Sequence, residues 1–287
     1  TQARTSEFHS KLIGAYVKGG FPKLVLKEKQ DFVDLYGPKS DYIAQHSAQK
    51  TKVFAQLKEY YVELAAHFHS QGQQALKKAK TSKEDHLPEL AKTSLLKATD
   101  YYGRYIETFS NDKQVADLRY KKADAHFENK QYDLAANEYS TVAYVDKDKK
   151  LANKSAYASL IAYRKHSQVL EANKAAKQKQ EAWRQQSVES MLTFANVFHK
   201  DERAIAVLTN AAQALFALNQ FDRAIDVANG LITKHKQLNP RLKQTAYGIL
   251  AHSYFQKGSY QLAQNNYTKQ RVLHNRQNNR VTHRKMC

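Results

Sequence analysis

Histidine and carboxylate side chains are the groups in this chain best suited to chemistry, and they are numerous: 12 His and 27 Asp plus Glu. Glu63 and His67 stand four apart, a spacing that puts both on one face of a helix, and His69 lies close by. Zinc ligation is the chemistry such a set could do. On a helix, however, His67 and His69 point about 200° apart. No H-E-x-x-H pair or paired cysteine completes a ligand set. A solvated helix-surface cluster accounts for these residues. Glu59, Glu63, Asp124 and Glu128 recur at i, i+4 steps among lysines, which is the pattern of an exposed helix face. G-x-S-x-G, a Walker glycine loop and G-x-G-x-x-G are all absent. The lone thiol, Cys287, forms no intramolecular disulfide and no cluster. These residues predict no catalytic group, no metal site and no cofactor.

The net charge of +19 is unevenly spread. From 239 to the end there are nine Lys/Arg and no Asp or Glu, whereas 116–149 is balanced, six basic against seven acidic. Residues 150–204 carry ten basic and five acidic residues. The excess is therefore a basic C-terminal end plus one basic linker. Such an end could contact nucleic acid or anionic lipid through counterion release, could dock a partner, or could simply be solvated. From Asn275 onward no aromatic residue interrupts the Lys, Arg, Asn and Gln, so the tail offers bases nothing to stack on. No window of 18 apolar residues exists, so no transmembrane segment is expected. The chain opens at Thr1 with no signal-like segment and reads as a processed, trimmed or partial protein.

The elements that must position these side chains are helices. With 42% apolar residues, 9 Gly and 4 Pro, the chain is poor in breakers and rich in helix formers. Residues 6–18 and 21–36 read as a helix pair, with Pro22 in the first turn of the second. Gly37-Pro38 stops that helix and Ser40 caps the next. Val53, Leu57, Tyr60, Tyr61, Leu64 and Phe68 recur at helical steps and predict one long helix over 41–80. A loop over 81–86 precedes a helix through Leu95, Tyr102 and Tyr105. Further helices are expected near 112–129, from 132, at 149–170, 183–198, 201–218, 221–236, 241–257 and 260–273. The polar stretch 171–180 is either an exposed helical extension or a mobile insertion. Residues 275–287 lack apolar periodicity and are expected to be disordered.

The chain also repeats itself. Phe109–Ala135 and Phe198–Ala224 align at a shift of 89, matching Phe109/Phe198, Asp112/Asp201, Ala123/Ala212, Ala125/Ala214, Phe127/Phe216, Tyr132/Phe221, Asp133/Asp222 and Ala135/Ala224. A weaker copy passes through Ala251, Phe255, Gly258-Ser259-Tyr260, Ala263 and Tyr267. Repetition of this kind signals stacked supersecondary units. The units, Ala116–Lys149, Ile205–Leu238 and Gln244–Asn275, resemble tetratricopeptide repeats (TPR). Ala123, Ala212 and Ala251 stand where two helices touch, with aromatics to fill the gap to the next unit. Half-repeats Ala98/Tyr102/Phe109 and Met191/Phe194/Phe198 precede the first two units. The Trp usual in the first helix is absent, its places held by Arg119, Leu208 and Tyr247. Lys147 and Lys236 stand where the terminal Pro is usual. The phrases Y-I-E-T-F-S-N-D and N-K-Q-Y-D-L-A-A-N-E-Y are similar to exported bacterial TPR proteins, which implies a periplasmic or envelope scaffold.

The resemblance implies an all-α fold, a right-handed superhelical solenoid of about twelve helices in antiparallel pairs. It divides the chain into degenerate pairs at 1–111, an array at 112–273 with an insertion near 171–182, and a basic tail at 274–287. In such arrays the first helices line a groove for partner segments. Carried over by position, that groove comprises Asp117, Tyr120, Lys121, Asp124 and Glu128, then Asn210, Gln213 and Phe216, then His252 and Gln256. The implied function is a non-enzymatic scaffold for a protein or peptide partner, within a larger assembly or a homo-oligomer. The alternative is a nucleic-acid-binding helical-repeat protein using 239–287.

Overall fold

The computed structural model describes residues 4–82, 84–146, 148–235 and 237–285, with side chains placed as far as residue 275. Among the described residues every regular element is helical. Helices α1 (Thr5–Lys18), α2 (Pro22–Leu35), α3 (Asp41–Gln45), α4 (Lys50–Ala79), α5 (Leu87–Thr108), α6 (Val115–Glu128) and α7 (Tyr132–Thr141) follow in order. Then come α8 (Ala152–Ala172), α9 (Lys177–Val197), α10 (Ala204–Ala217), α11 (Phe221–Lys234), α12 (Pro240–Gln256) and α13 (Tyr260–Lys285). The short α3 aside, consecutive helices pair off as TPR-like hairpins. The chain divides into two compact units, 1–162 and 163–287, with the division inside α8.

Two local turn chemistries alternate along the chain. Within five of the pairs, all but α4/α5, the first helix ends in one left-handed residue, and the amide that follows it reaches back to a carbonyl five residues earlier. Gly20, Lys130, Lys174, Asn219 and Gly258 hold φ between 50° and 74°. The matching bonds, Phe21 to Tyr16, Gln131 to His126, Ala175 to Leu170, Gln220 to Leu215 and Ser259 to Tyr254, are 2.9–3.0 Å. Between pairs, an Asx side chain caps the incoming helix. Asp112, Asp148, Asp201 and Asn239 accept from the amides of Gln114, Lys150, Arg203 and Arg241 at 2.8–2.9 Å. A ring pair staples three of the hairpins: Phe127–Tyr132 at 5.0 Å, Phe216–Phe221 at 5.5 Å and Phe255–Tyr260 at 5.5 Å. The register read at a shift of 89 thus corresponds to one set of turns used twice.

Small residues let the helices touch. Ala123, Ala125, Ala135 and Ala136 are fully buried in the first unit, and Ala211, Ala212, Ala224 and Ala228 in the second. At α4 against α5, a Cβ on Gly72 would lie 2.7 Å from Leu95 Cγ, so only glycine admits that approach. The first unit's core is built on Phe32, Leu57, Tyr61, Leu64 and Tyr105, and the second unit's on Val188, Leu215, Leu231 and Leu250. Each such large side chain contributes on the order of 1.5–3 kcal/mol on burial.

Two sequence expectations change, and a third, left open between a helical extension and a mobile insertion, falls mainly to helix. The helix expected over 41–80 is broken at His46 (φ −129°, ψ 54°), followed by a 3₁₀ turn over Ser47–Gln49. The His46 ring stacks on Tyr42 at 4.7 Å and its Nδ1 lies 3.1 Å from the Tyr42 carbonyl, so a side chain takes over where the helical ladder stops. The polar stretch at 171–182 is the α8/α9 turn and the start of α9, tied by Trp183, whose indole N–H donates to the Tyr163 carbonyl at 2.9 Å. Helix α13 runs through the segment expected as a tail as far as Lys285; its side chains from 276, and residues 286–287, lie outside the described residues. So do Lys147 and Lys236. Among the described residues, no helix is long and apolar enough to cross a membrane.

Candidate functional site

Helix α6 carries five of the ten groove residues. Asp117, Tyr120, Lys121, Asp124 and Glu128 fall at three- and four-residue steps, so they form one stripe. Val115, Leu118 and Ala125 bury the opposite side and fix the stripe's direction. Asp117 and Lys121 are exposed and paired at 2.7 Å, a surface bond worth well under about 1 kcal/mol. The pairing makes Lys121 a poor candidate for a carboxylate clamp.

Below that pair the stripe becomes half-buried and specific. The Tyr120 ring lies 5.4 Å from Tyr139 of α7 and 4.6 Å beneath the Lys154 ammonium of α8. A hydrogen bond to Tyr120 pushes the Lys154 ammonium up and so favours its charged form. The Tyr139 hydroxyl donates to Asp124 Oδ1 at 2.5 Å. Burial pushes the Asp124 carboxyl up, the Tyr139 bond opposes that, and Glu128 beside it adds a repulsive charge. The Tyr139 phenol is driven far up by burial and by Asp124, so it stays a donor.

Glu128 closes the stripe. It accepts from the Gln73 amide at 2.8 Å and lies 3.1 Å from His69 Nε2. The His69 Nδ1 is 3.3 Å from the Tyr102 hydroxyl, whose phenol burial holds in its protonated form. The solvated cluster expected around His67 and His69 is therefore corrected at His69, which is 8% exposed and bonded on both nitrogens. The cause is its approach to Glu128 of α6, 59 residues on, which no local spacing announces. Among the described residues no group of three or more His, Cys, Asp and Glu is arranged to hold a metal ion. At the foot of α6, His126 bonds the Gln131 side chain at 2.9 Å and burial pushes its imidazole down, so it serves the turn.

In the second unit the candidates come from two helices. Asn210, Gln213 and Phe216 share a face of α10, the first two exposed and Phe216 half-buried. Phe216 meets His252 of α12 at 6.0 Å, and His252 bonds the Tyr267 hydroxyl through Nδ1 at 2.7 Å. Gln256 lies exposed one turn beyond His252. Sequence reasoning did not place His69, Gln73, Tyr102, Tyr139 and Lys154 against the stripe in the first unit, nor Tyr267 against His252 in the second. Tyr139 and Tyr267 are visible as repeat positions, but their hydroxyl partners are not.

The first unit's stripe offers carboxylate acceptors, tyrosine rings and one cation above a ring. The arrangement can accept hydrogen bonds from a partner's backbone or cationic side chains and can pack its apolar ones. Among its described residues it holds no nucleophile poised beside a base.

No protein-family model and no curated protein matches the chain. Among solved structures it is similar to a kinesin light chain-like protein of Podosopora anserina with nearly identical TPR-like repeats. That chain is 15% identical, with 74% of this chain and 97% of the other covered and a TM-score of 0.38. A substituted form of the same protein gives 15%, 75%, 98% and 0.38. BtubC (BKLC) from P. vanneervenii gives 12%, 76%, 92% and 0.36. Likeness at these values bears on neither partner nor activity.

Proposed function

We propose that this chain is a non-enzymatic protein-interaction module that holds a segment of a partner protein against α6 in its first unit. The observation that supports this reading is the half-buried stripe Tyr120–Asp124–Glu128, whose polar atoms are oriented by Tyr139, Lys154, His69 and Gln73. A purely structural helix face at that depth would be filled more cheaply by Ala and Leu, because burying carboxylates opposes folding. The face around Phe216 and His252 in the second unit is a second contact region of the same kind. Membership of a larger assembly, and a bacterial envelope setting, are supported only by the phrases Y-I-E-T-F-S-N-D and N-K-Q-Y-D-L-A-A-N-E-Y.

The test is site-specific photocrosslinking in the native source. A crosslinker replacing Lys121, at the rim of the stripe, should capture one defined protein, and one replacing exposed Lys92 on α5 should not. Adding Tyr120→Ala and Glu128→Gln should lower the Lys121 yield at least tenfold. Equal yields at 121 and 92, or a Lys121 product unmoved by the double substitution, would refute the reading.

A further inference from the structure

The second unit shows what normally lies on the tip of one of its hairpins. Phe216 and Phe221 staple α10 to α11, and the next helix, α12, lays His252 on Phe216 at 6.0 Å. One residue past Phe221, Asp222 forms an ion pair with Lys257, just beyond the end of α12. A shift of 39 carries Phe216, Phe221 and Ala224 onto Phe255, Tyr260 and Ala263. The second hairpin has the same left-handed turn, the same ring pair at 5.5 Å and the same buried alanine. No helix among the described residues covers it. Phe255 is 52% exposed and Tyr260 66% exposed, whereas Phe216 and Phe221 are half-buried. Between them opens a cleft of about 520 Å³ lined by Phe255, Tyr260, Gln264, Tyr267, Thr268 and Arg271.

The residues that replace the α11 contacts define the occupant. Ile225 and Ile232 on α11 become Gln264 and Arg271 on α13, so the cleft wall is polar and cationic where α11 is apolar. No Asp or Glu occurs among residues 239–287, so neither α12 nor α13 carries an acidic side chain to pair with Arg271. A polar outer face would serve solubility alone, but two exposed rings beside Arg271 exceed what solubility requires. We infer that α13 is a docking face for one further helix, an acidic amphipathic helix of a partner protein, seated on Phe255 and Tyr260 as α12 is seated on Phe216. Helix-in-groove recognition supplies the apolar contact, and a carboxylate facing Arg271 sets the register. This surface is separate from the α6 stripe and does not rest on it.

The chain's own α12 provides the probe. A labelled peptide of residues 239–257 carrying Arg241→Glu, Lys243→Glu and Lys257→Glu is titrated with the full chain by fluorescence anisotropy, beside the unaltered basic peptide. The acidic peptide should bind at least tenfold more tightly than the basic one. Phe255→Ala with Tyr260→Ala removes the ring staple as well as the seat, so circular dichroism is compared with wild type first; with the helical signal kept, the pair should weaken binding at least tenfold. Arg271→Glu should reverse the preference towards the basic peptide. Equal affinity for the two peptides, no binding by either, or full binding by the alanine pair would overturn the proposal. So would self-association of the chain in sedimentation that the same alanine pair abolishes, or oligo-dT binding at this face in place of the acidic peptide.

Discussion

Replacing Tyr139 by Phe removes one atom, and the structure specifies what that atom does. Its hydroxyl, on a ring 4% exposed, donates at 2.5 Å to Asp124, a half-buried carboxylate repelled by Glu128. A hydrogen bond to a charged group contributes about 1.5–3 kcal/mol, and its loss leaves a partly desolvated acceptor wanting. Tyr139→Phe should therefore destabilise the first unit by about 2 kcal/mol at pH 8. For a unit of this size that is a fall in Tm of roughly 4–8 °C. The sign with pH follows from the charge. The bond favours ionised Asp124, so in the variant the carboxyl rises further, and the loss is greatest where Asp124 is ionised. It should shrink as pH falls through the carboxylate range towards 4. Urea or thermal unfolding followed by circular dichroism at pH 8 and pH 4 measures both. A loss below about 0.5 kcal/mol, or one of the same size at both pH values, would show that Tyr139 only fills space.

Asp112 accepts from Lys58, from the Gln114 amide and from Tyr105, and the Lys58 bond foremost lowers its carboxyl to about 2. Asp112→Ala should cost about 1–2 kcal/mol near neutrality. That stability is present above the ordinary carboxylate pKa and is lost as pH falls towards 2, so wild type and variant should converge in acid unfolding. Lys130 holds φ 59°, a conformation that penalises a side chain with a Cβ. Lys130→Gly should raise Tm by the equivalent of up to about 1 kcal/mol, whereas Lys130→Val should lower it. Ala212→Leu, at a fully buried helix contact, should cost about 1–3 kcal/mol by overpacking, read as a lower urea midpoint.

The repeat register made the fold legible, and the structure shows that the register is carried by turn chemistry. The residues that set a left-handed turn or an Asx cap lie within six positions of the bonds they make, so Asn219-Gln220, Gly258-Ser259, Asp112 and Asp201 announce themselves locally. The alanines announced close approach for the same reason: their identity answers one neighbouring helix. His46 was illegible because its break depends on a ring stacking on Tyr42, and periodicity from Val53 onward masked it. The α6 stripe could be placed from repeat positions alone. Its partners could not, since His69 and Gln73 stand more than fifty residues before Glu128 and Lys154 stands on the following pair. Local sequence fixes which face a residue occupies, whereas which polar atoms meet across faces is decided by packing.

That difference bears on why the stripe exists. Asp124 and Glu128 share one helix face one turn apart, and burial holds the Asp124 carboxyl up. A raised carboxyl weakens the folded state above its ordinary pKa, so this position opposes folding at neutral pH. Positions of that kind are kept when the charge serves binding. Asp124→Asn should therefore unfold at a higher temperature than wild type at pH 8, with the gap narrowing as pH falls and the carboxyl takes up its proton. The same variant should lose partner capture through a crosslinker at Lys121. The Asn side-chain oxygen can still accept from Tyr139, so a loss of capture would trace to the charge and not to a collapsed face. A variant less stable at pH 8 that captures the partner as well as wild type would assign Asp124 to the fold and remove it from the binding face.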